Sequence, residues 1–354
     1  MTAKVYFMER SLTAQEVKNV IEGKGAAYRI PSGIHFWINP WVLGDKTQEA
    51  LNIMSEYPDD LDVIVVNMPT VFRDQAKIPG FSWLPWNNPY GDNKAIDSAT
   101  GLDDWERLDE VLASFPDPET PEIIPNAKPK GDTYRLSYWW FFFFERFWSL
   151  RGMENALCDF YEYPDEVHRL FRALTDFYKK VIYRIINELH CDGVWTTDDI
   201  GTQTSTFFSL DIFREFFLPY YKEIIDYTHS LGMHFWLHSC GNVQLFIPDL
   251  IEAGVDVIHP IQKYTMDEKE IIEKFGGKVC FWAGFDVQQT IPYGTPEEVR
   301  KEVDFLIDTY ARPDGRLILA TGNHTTADCP VESIRALLDE TIKYGKEKCL
   351  NFNK

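Results

Sequence analysis

The sequence predicts an α/β fold: a single (β/α)8 barrel of the TIM type, with an insertion over the mouth at the C-terminal ends of its strands. Three observations carry this expectation. From Cys191 onward, one rhythm of short apolar run, polar turn and amphipathic stretch repeats five times. Upstream runs bring the strand count to eight, the number such a barrel needs. Polar side chains suited to chemistry follow the apolar runs, at the rim where barrels of this type build their sites.

Taken in order, Ile34 to Ile38 and Val63 to Val66 read as the first two strands, and a third lies within Tyr138 to Phe144. The segment 72–133 breaks the rhythm. It is rich in Pro, Asn, Asp and Trp, and we read it as the insertion, a lid with a short helix near Trp105 to Phe115. Cys191 to Ile200 reads as a strand ending in acids. Ser209-Leu210-Asp211 then opens a helix that runs to about Leu231. His234 to Cys240 is the next strand, Gln244 to Ala253 a helix, Val255 to Ile261 a strand and Asp267 to Phe275 a helix. Lys278 to Asp286 is a strand, and Thr295-Pro296-Glu297-Glu298 starts a helix with Pro in its first turn and acids facing its dipole. Arg316 to Thr321 and Val331 to Lys346 supply the last strand and helix. No linker divides the 354 residues, which read as one barrel domain.

Composition narrows the function. Hydrophobic residues make up 45% of the chain, enough for a large core, and the aromatic share of 15% is high. A net charge of −20 argues against nucleic acid as a partner, because phosphate binding needs a basic face. No run of 18 apolar residues offers a membrane span, and the N-terminus lacks the apolar core of a signal peptide. The six Cys are scattered without disulfide spacing, which suits a reducing cytoplasm.

The chemistry concentrates in His238-Ser239-Cys240 and Cys329. A His-x-Cys pair at one strand end, joined by a Cys in the loop after the last strand, is the donor set of a catalytic zinc. Three N/S ligands hold the ion and leave a fourth position for water, substrate or a labile protein ligand. Other polar residues at strand ends are Asn67, Glu145, Asp198, Asp199, His259, Gln262, Asp286, Asn323 and His324. For any single one of them a wet loop residue is the simpler reading; for the set of three soft ligands it is not. Asp198 or Asp199, His259, Asp286 and His324 are candidates for a fourth ligand, a proton donor or a substrate contact, and Gln262 for a substrate contact. His259 is equally suited to capping a strand end. Cys280 reads as a packed core thiol, and Cys158, Cys191 and Cys349 have no neighbouring ligand. The run Trp139 to Phe144 reads as a buried strand or as the lining of a pocket for a flat ligand. In the insertion, Trp83, Trp86 and Tyr90 are aromatic residues in a Pro-rich loop, and Trp83 and Trp86 are expected to close over a substrate.

From about Gly193 to the end, the chain resembles the uroporphyrinogen decarboxylase superfamily, in its cobalamin-dependent methyltransferase branch. The resemblance rests on Asp198-Asp199-Ile200-Gly201-Thr202-Gln203, Phe213-Arg214-Glu215-Phe216-Phe217-Leu218-Pro219 and His238-Ser239-Cys240-Gly241-Asn242. It continues in Gly254 to Gln262, Gly284 to Gln289 and Thr321-Gly322-Asn323-His324. It implies a His-x-Cys…Cys zinc site, which His238, Cys240 and Cys329 match position by position. Decarboxylases of the superfamily carry an N-terminal loop with paired arginines for substrate carboxylates, and the stretch from Tyr28 to His35 lacks that pairing. The branch implies one of two chemistries: methyl transfer from methylcobalamin to a thiol, or from a donor such as a methyl ether to cobalt(I). The aromatic composition favours an aryl methyl ether, hence O-demethylation. No Asp-x-His-x-x-Gly cobalamin motif occurs, so the corrinoid is expected on a separate partner protein. The rival expectations are a metal-free tetrapyrrole decarboxylase and a non-catalytic tetrapyrrole-binding protein.

Overall fold

The computed structural model describes residues 9–68 and 102–352. Among the described residues seven strands alternate with helices, an α/β architecture of the TIM-barrel type, as expected. They are β1 (Leu61–Val65), β2 (Tyr134–Trp139), β3 (Gly193–Thr197), β4 (His234–His238), β5 (Val257–His259), β6 (Cys280–Phe285) and β7 (Leu317–Thr321). The described residues fall into two compact units: 9–63, 129–135 and 256–352 form the first, and 64–68, 102–128 and 136–255 the second.

In the second unit, β2, β3 and β4 pair in parallel, with Tyr138 level with Trp195, Trp195 with Trp236, and Thr197 with His238. β2 and β3 are buried along their whole length, as parallel strands covered on both faces must be. Pro164–Arg184 covers them as an amphipathic helix. It starts on Pro164, carries Asp165 and Glu166 in its first turn, and buries Val167, Leu170, Phe171, Leu174, Phe177, Tyr178, Val181 and Ile182 at helical spacing. The helix opened by Ser209 widens by one residue per turn over Phe213–Phe217 before continuing as Leu218–Ser230. Pro219 has no N–H to give to the preceding turn, and the wider turn absorbs that loss.

In the first unit, β5 pairs with β6 and β6 with β7, again in parallel, with Phe285 level with Thr321. The helix Pro296–Tyr310 has the expected start. Thr295 accepts from the Glu298 N–H at 3.3 Å, and the Glu298 carboxylate takes the Thr295 N–H at 2.7 Å.

Two expected strands differ. Ile34 to Ile38 is not a strand: after a single parallel bridge from Ser32 to Leu319, His35–Trp37 coils into a 3-10 turn. The turn delivers the Trp37 indole onto His259, ring centroids 4.4 Å apart and nearly parallel, and against Trp282. Burying that ring outweighs another pair of ladder hydrogen bonds. The strand placed within Tyr138 to Phe144 ends early, at Trp139. Phe141 takes a left-handed φ of 66°, and the run turns into the helix Phe144–Arg151. Its phenylalanines are still core, with Phe142, Phe143 and Phe144 fully buried. The expected short helix near Trp105 to Phe115 is Leu108–Ala113, preceded by a 3-10 turn. Trp83, Trp86 and Tyr90 lie outside the described residues.

Candidate metal centre

The ends of β3 and β4 build the centre. Residues two apart on a strand share a face, so His238 and Cys240 project together from the end of β4. Cys240 Sγ lies 3.3 Å from His238 Nε2, and His238 Nε2 lies 3.7 Å from Asp199 Oδ1. Among the described residues these three form a group of metal-ligating side chains, their ligand atoms all within 4.8 Å of one another. Zinc bonds of about 2.0–2.3 Å in a tetrahedron set ligand atoms roughly 3.3–3.7 Å apart. The imidazole's separations from the thiol and from the carboxylate match that spacing, and the three donor types suit the ion.

The two loops are locked together. Cys240 N–H donates to Asp199 Oδ1 at 2.7 Å, Ile200 N–H to Ser239 Oγ at 3.1 Å, and Asn242 N–H to Thr202 O at 2.7 Å. Gly241 sits at φ 82°, where a Cβ would meet the Gly201 carbonyl carbon at 2.4 Å. Only a bare backbone on both sides permits this approach.

The adjacent acids separate in role. Asp198 is fully buried and accepts four hydrogen bonds: from the N–H groups of Phe143, Phe144 and Glu145 and from the Tyr221 hydroxyl at 2.6 Å. It anchors the N-terminus of Phe144–Arg151, where the helix dipole favours an anion. Burial pushes its carboxyl up to about 6 against the pull of those donors. Asp199 is 40% exposed on its side chain and joins His238 and Cys240 in the candidate group.

Glu145 was visible in the sequence only as a strand-end acid. Its side chain accepts from the Thr197 hydroxyl, and burial, then the charges of Asp199 and Asp198, hold it well above the usual carboxylate range. A Glu in the first turn of a helix after a buried aromatic run was the available signal. Tyr138 is its neighbour in charge: burial, then Glu145, Asp199 and Cys240, oppose ionisation of the phenol.

The remaining sequence candidates stand in the first unit. Cys329 follows β7 and is buried. Burial, reinforced by Asp328, pushes its thiol up to about 12, so a thiolate there needs a cation. His259 packs against the rings of Trp37 and Trp282, its Nε2 3.0 Å from Thr321 O. His324 Nδ1 is 3.3 Å from Trp37 O, and burial lowers its pKa, favouring neutral imidazole. Asp286 takes N–H groups of Gln288, Gln289 and Thr290 and the hydroxyls of Tyr264 and Thr290. Burial raises its carboxyl, but these donors prevail and hold it below the usual range. Asp286 thus caps its own loop. The Gln262 carbonyl accepts from Thr265, which closes the turn after β5.

A family model described as uroporphyrinogen decarboxylase (URO-D) matches residues 148–344, a stretch containing Asp199, His238, Cys240 and Cys329. The chain belongs to the uroporphyrinogen decarboxylase family. Within it, a curated uroporphyrinogen decarboxylase from Shewanella halifaxensis is 27% identical over 188 residues, 51% of this chain and 49% of that protein. This family member therefore spans about half the length of the curated relative it matches. A solved methyltransferase from Methanosarcina mazei superposes with a TM-score of 0.60 over 94% of this chain and 99% of that one, at 14% identity. At that identity the likeness establishes the fold that the URO-D-family chain shares with it.

Proposed function

We propose that the protein is a zinc-dependent methyltransferase that moves a methyl group from a small donor, an aryl methyl ether, to the cobalt(I) of a separate corrinoid protein. The observation that carries this reading is the convergence of Asp199, His238 and Cys240 at strand C-terminal ends with zinc-like spacing. Cys329 is the proposed further soft ligand, on the strength of its place after the last strand and of a thiol that burial keeps protonated unless a cation binds.

Zinc, when bound, supplies Lewis-acid stabilisation of negative charge developing on the departing oxygen. The chain's own groups do the rest. Asp199, His238 and Cys240 would hold the ion and so fix where the donor oxygen binds. Cobalt(I) gives the electron pair of the new bond to methyl, the C–O pair stays on oxygen, and the phenoxide takes up a proton. Glu145, whose carboxyl burial and the neighbouring acids push up, is the proposed source for that proton. Trp83 and Trp86 remain proposed donor contacts. Asp198 anchors the helix start that carries Glu145, and His259, Asp286, His324 and Gln262 remain proposed candidates for a proton donor or a substrate contact.

The rival reading is decarboxylation of a tetrapyrrole without metal, which the name of the Shewanella relative favours. Against it, Arg29, the arginine of the stretch Tyr28 to His35, is fully buried. Its two terminal nitrogens contact the Asp60 carboxylate at 2.6 and 2.7 Å. The test is incubation of the protein with a cobalt(I) corrinoid protein and a panel of methoxyarenes, thiols and methylamines. The expected outcome is a free phenol and loss of the cobalt(I) spectrum, slowed on the order of a thousandfold by chelating zinc. Carbon dioxide released from a porphyrinogen by zinc-free protein would establish the rival.

A further inference from the structure

One aromatic side chain near the candidate metal centre is only partly taken up by the core. Trp140 follows β2 directly and is 37% exposed, whereas its neighbour Trp139 is fully buried. Strand register explains the difference. Trp139 is level with Thr196, and Thr196 with Leu237. The next row along the strands is Trp140, Thr197 and His238, with Thr197 level with His238 in the ladder. Alternation turns this row to the face opposite Trp139, the face of Tyr138, Trp195 and Trp236. The ring contacts agree: Trp140 meets the Tyr138 ring edge-on at 4.6 Å, and Tyr138 stacks on Trp195 at 3.9 Å.

Two strand spacings separate Trp140 from His238, roughly 10 Å between their backbones. Thr197 stands between them, its hydroxyl given to Glu145 and its oxygen accepting the Phe141 N–H at 3.2 Å. The row therefore reads, from one end to the other, as an exposed indole, a short hydroxyl tied down by its own neighbours, and the imidazole of the metal cluster. A benzene ring with one methoxy substituent is of a length that would bridge this row, from the indole at one end to the cluster at the other.

We infer that Trp140 is a specificity-determining residue of the donor subsite: its exposed indole holds the ring of a methoxyarene, with the methoxy group directed along the row toward Asp199, His238 and Cys240. The inference rests on the methyl-transfer reading above and adds the residue that selects an aromatic donor over an aliphatic one. Aromatic contact depends on a π face, so a residue of similar bulk without one does not replace it.

Calorimetric titration with 2-methoxyphenol, on zinc-loaded and on chelated protein, tests the inference. Trp140→Ala and Trp140→Leu are expected to weaken binding about tenfold in both forms, while Trp140→Phe keeps it within about threefold. Circular dichroism and the thermal midpoint should stay at the wild-type values for Trp140→Leu, because the ring is already partly in water. Equal affinity of wild type and Trp140→Leu for 2-methoxyphenol overturns the role of Trp140 and leaves the methyl-transfer reading standing. Tighter binding of tetramethylammonium than of 2-methoxyphenol, abolished by Trp140→Leu, overturns the aromatic assignment in favour of a cationic donor. Wild type that binds no methoxyarene, yet transfers methyl from an amine or a thiol, overturns the aryl ether reading and this inference together.

Discussion

The backbone N–H of Cys240 donates to Asp199 Oδ1 at 2.7 Å, so the loop that presents the thiol also fixes the carboxylate beside it. One hydrogen bond thus ties two loops from different strands into one donor set. In the proposed centre the candidate ligands would thus be held by the fold itself, which lowers the cost of ordering them around an ion.

Metal content tests that set. The protein is expected to bind about one zinc per chain, following the ligand logic of one imidazole and thiolates. Cys240→Ala and Cys329→Ala should each lose most of it by elemental analysis. Asp199→Ala should weaken zinc at least as much as the roughly 10–100-fold that loss of an outer-shell partner costs. Full zinc retention by Asp199→Ala would remove the carboxylate from the centre. The fold should survive in all three, because a core of this size does not depend on a metal.

Gly241→Ala should be destabilising by about 2 kcal/mol or more, read from the urea midpoint. The new Cβ meets the Gly201 carbonyl carbon at 2.4 Å, and the left-handed φ adds strain. Zinc affinity should fall with it, since the displaced backbone carries Cys240. An unchanged midpoint would mean that the loops part without cost.

Asp198 gives a pH signature. Its folded carboxyl sits at about 6, above the roughly 3.9 of an unfolded chain. The folded state therefore holds its proton more tightly, and stability falls as pH rises from about 4 to 6. The shift corresponds to about 3 kcal/mol. Asp198→Asn carries no such proton, so urea midpoints measured across this window should fall with pH less steeply than those of wild type. Parallel curves would show that the four donors already keep the carboxylate ionised.

The Arg29–Asp60 pair is completely buried, and Asp60 also accepts the N–H groups of Leu12 and Ser32. Asp60→Ala should lower stability by about 3–5 kcal/mol, because it leaves a guanidinium in the core without its counter-charge. Replacing both, Arg29→Met with Asp60→Leu, should recover part of that loss. If the double variant is no better than the single one, the two orphaned N–H groups and not the charge carry the cost.

The alternation of strands and helices from Cys191 onward was legible in the residues alone, because period-2 and period-3.6 burial leave their mark residue by residue. Thr295 as a helix cap and the pairing of His238 with Cys240 at one strand end were legible for the same reason: each depends on spacings of two to four residues. Ile34 to Ile38 had the composition of a strand and became a turn, since the fate of Trp37 is set by His259 and Trp282, more than 200 residues away. Nor could adjacent residues be told apart. Asp198 and Asp199 are equal as letters, but three N–H groups at a helix start and the Tyr221 hydroxyl consume the first, while the second faces His238. Trp139 and Trp140 divide in the same way, one into the core and one toward water. Successive strand residues point to opposite faces, and which face meets a helix and which meets the site is decided only by the packing of distant elements.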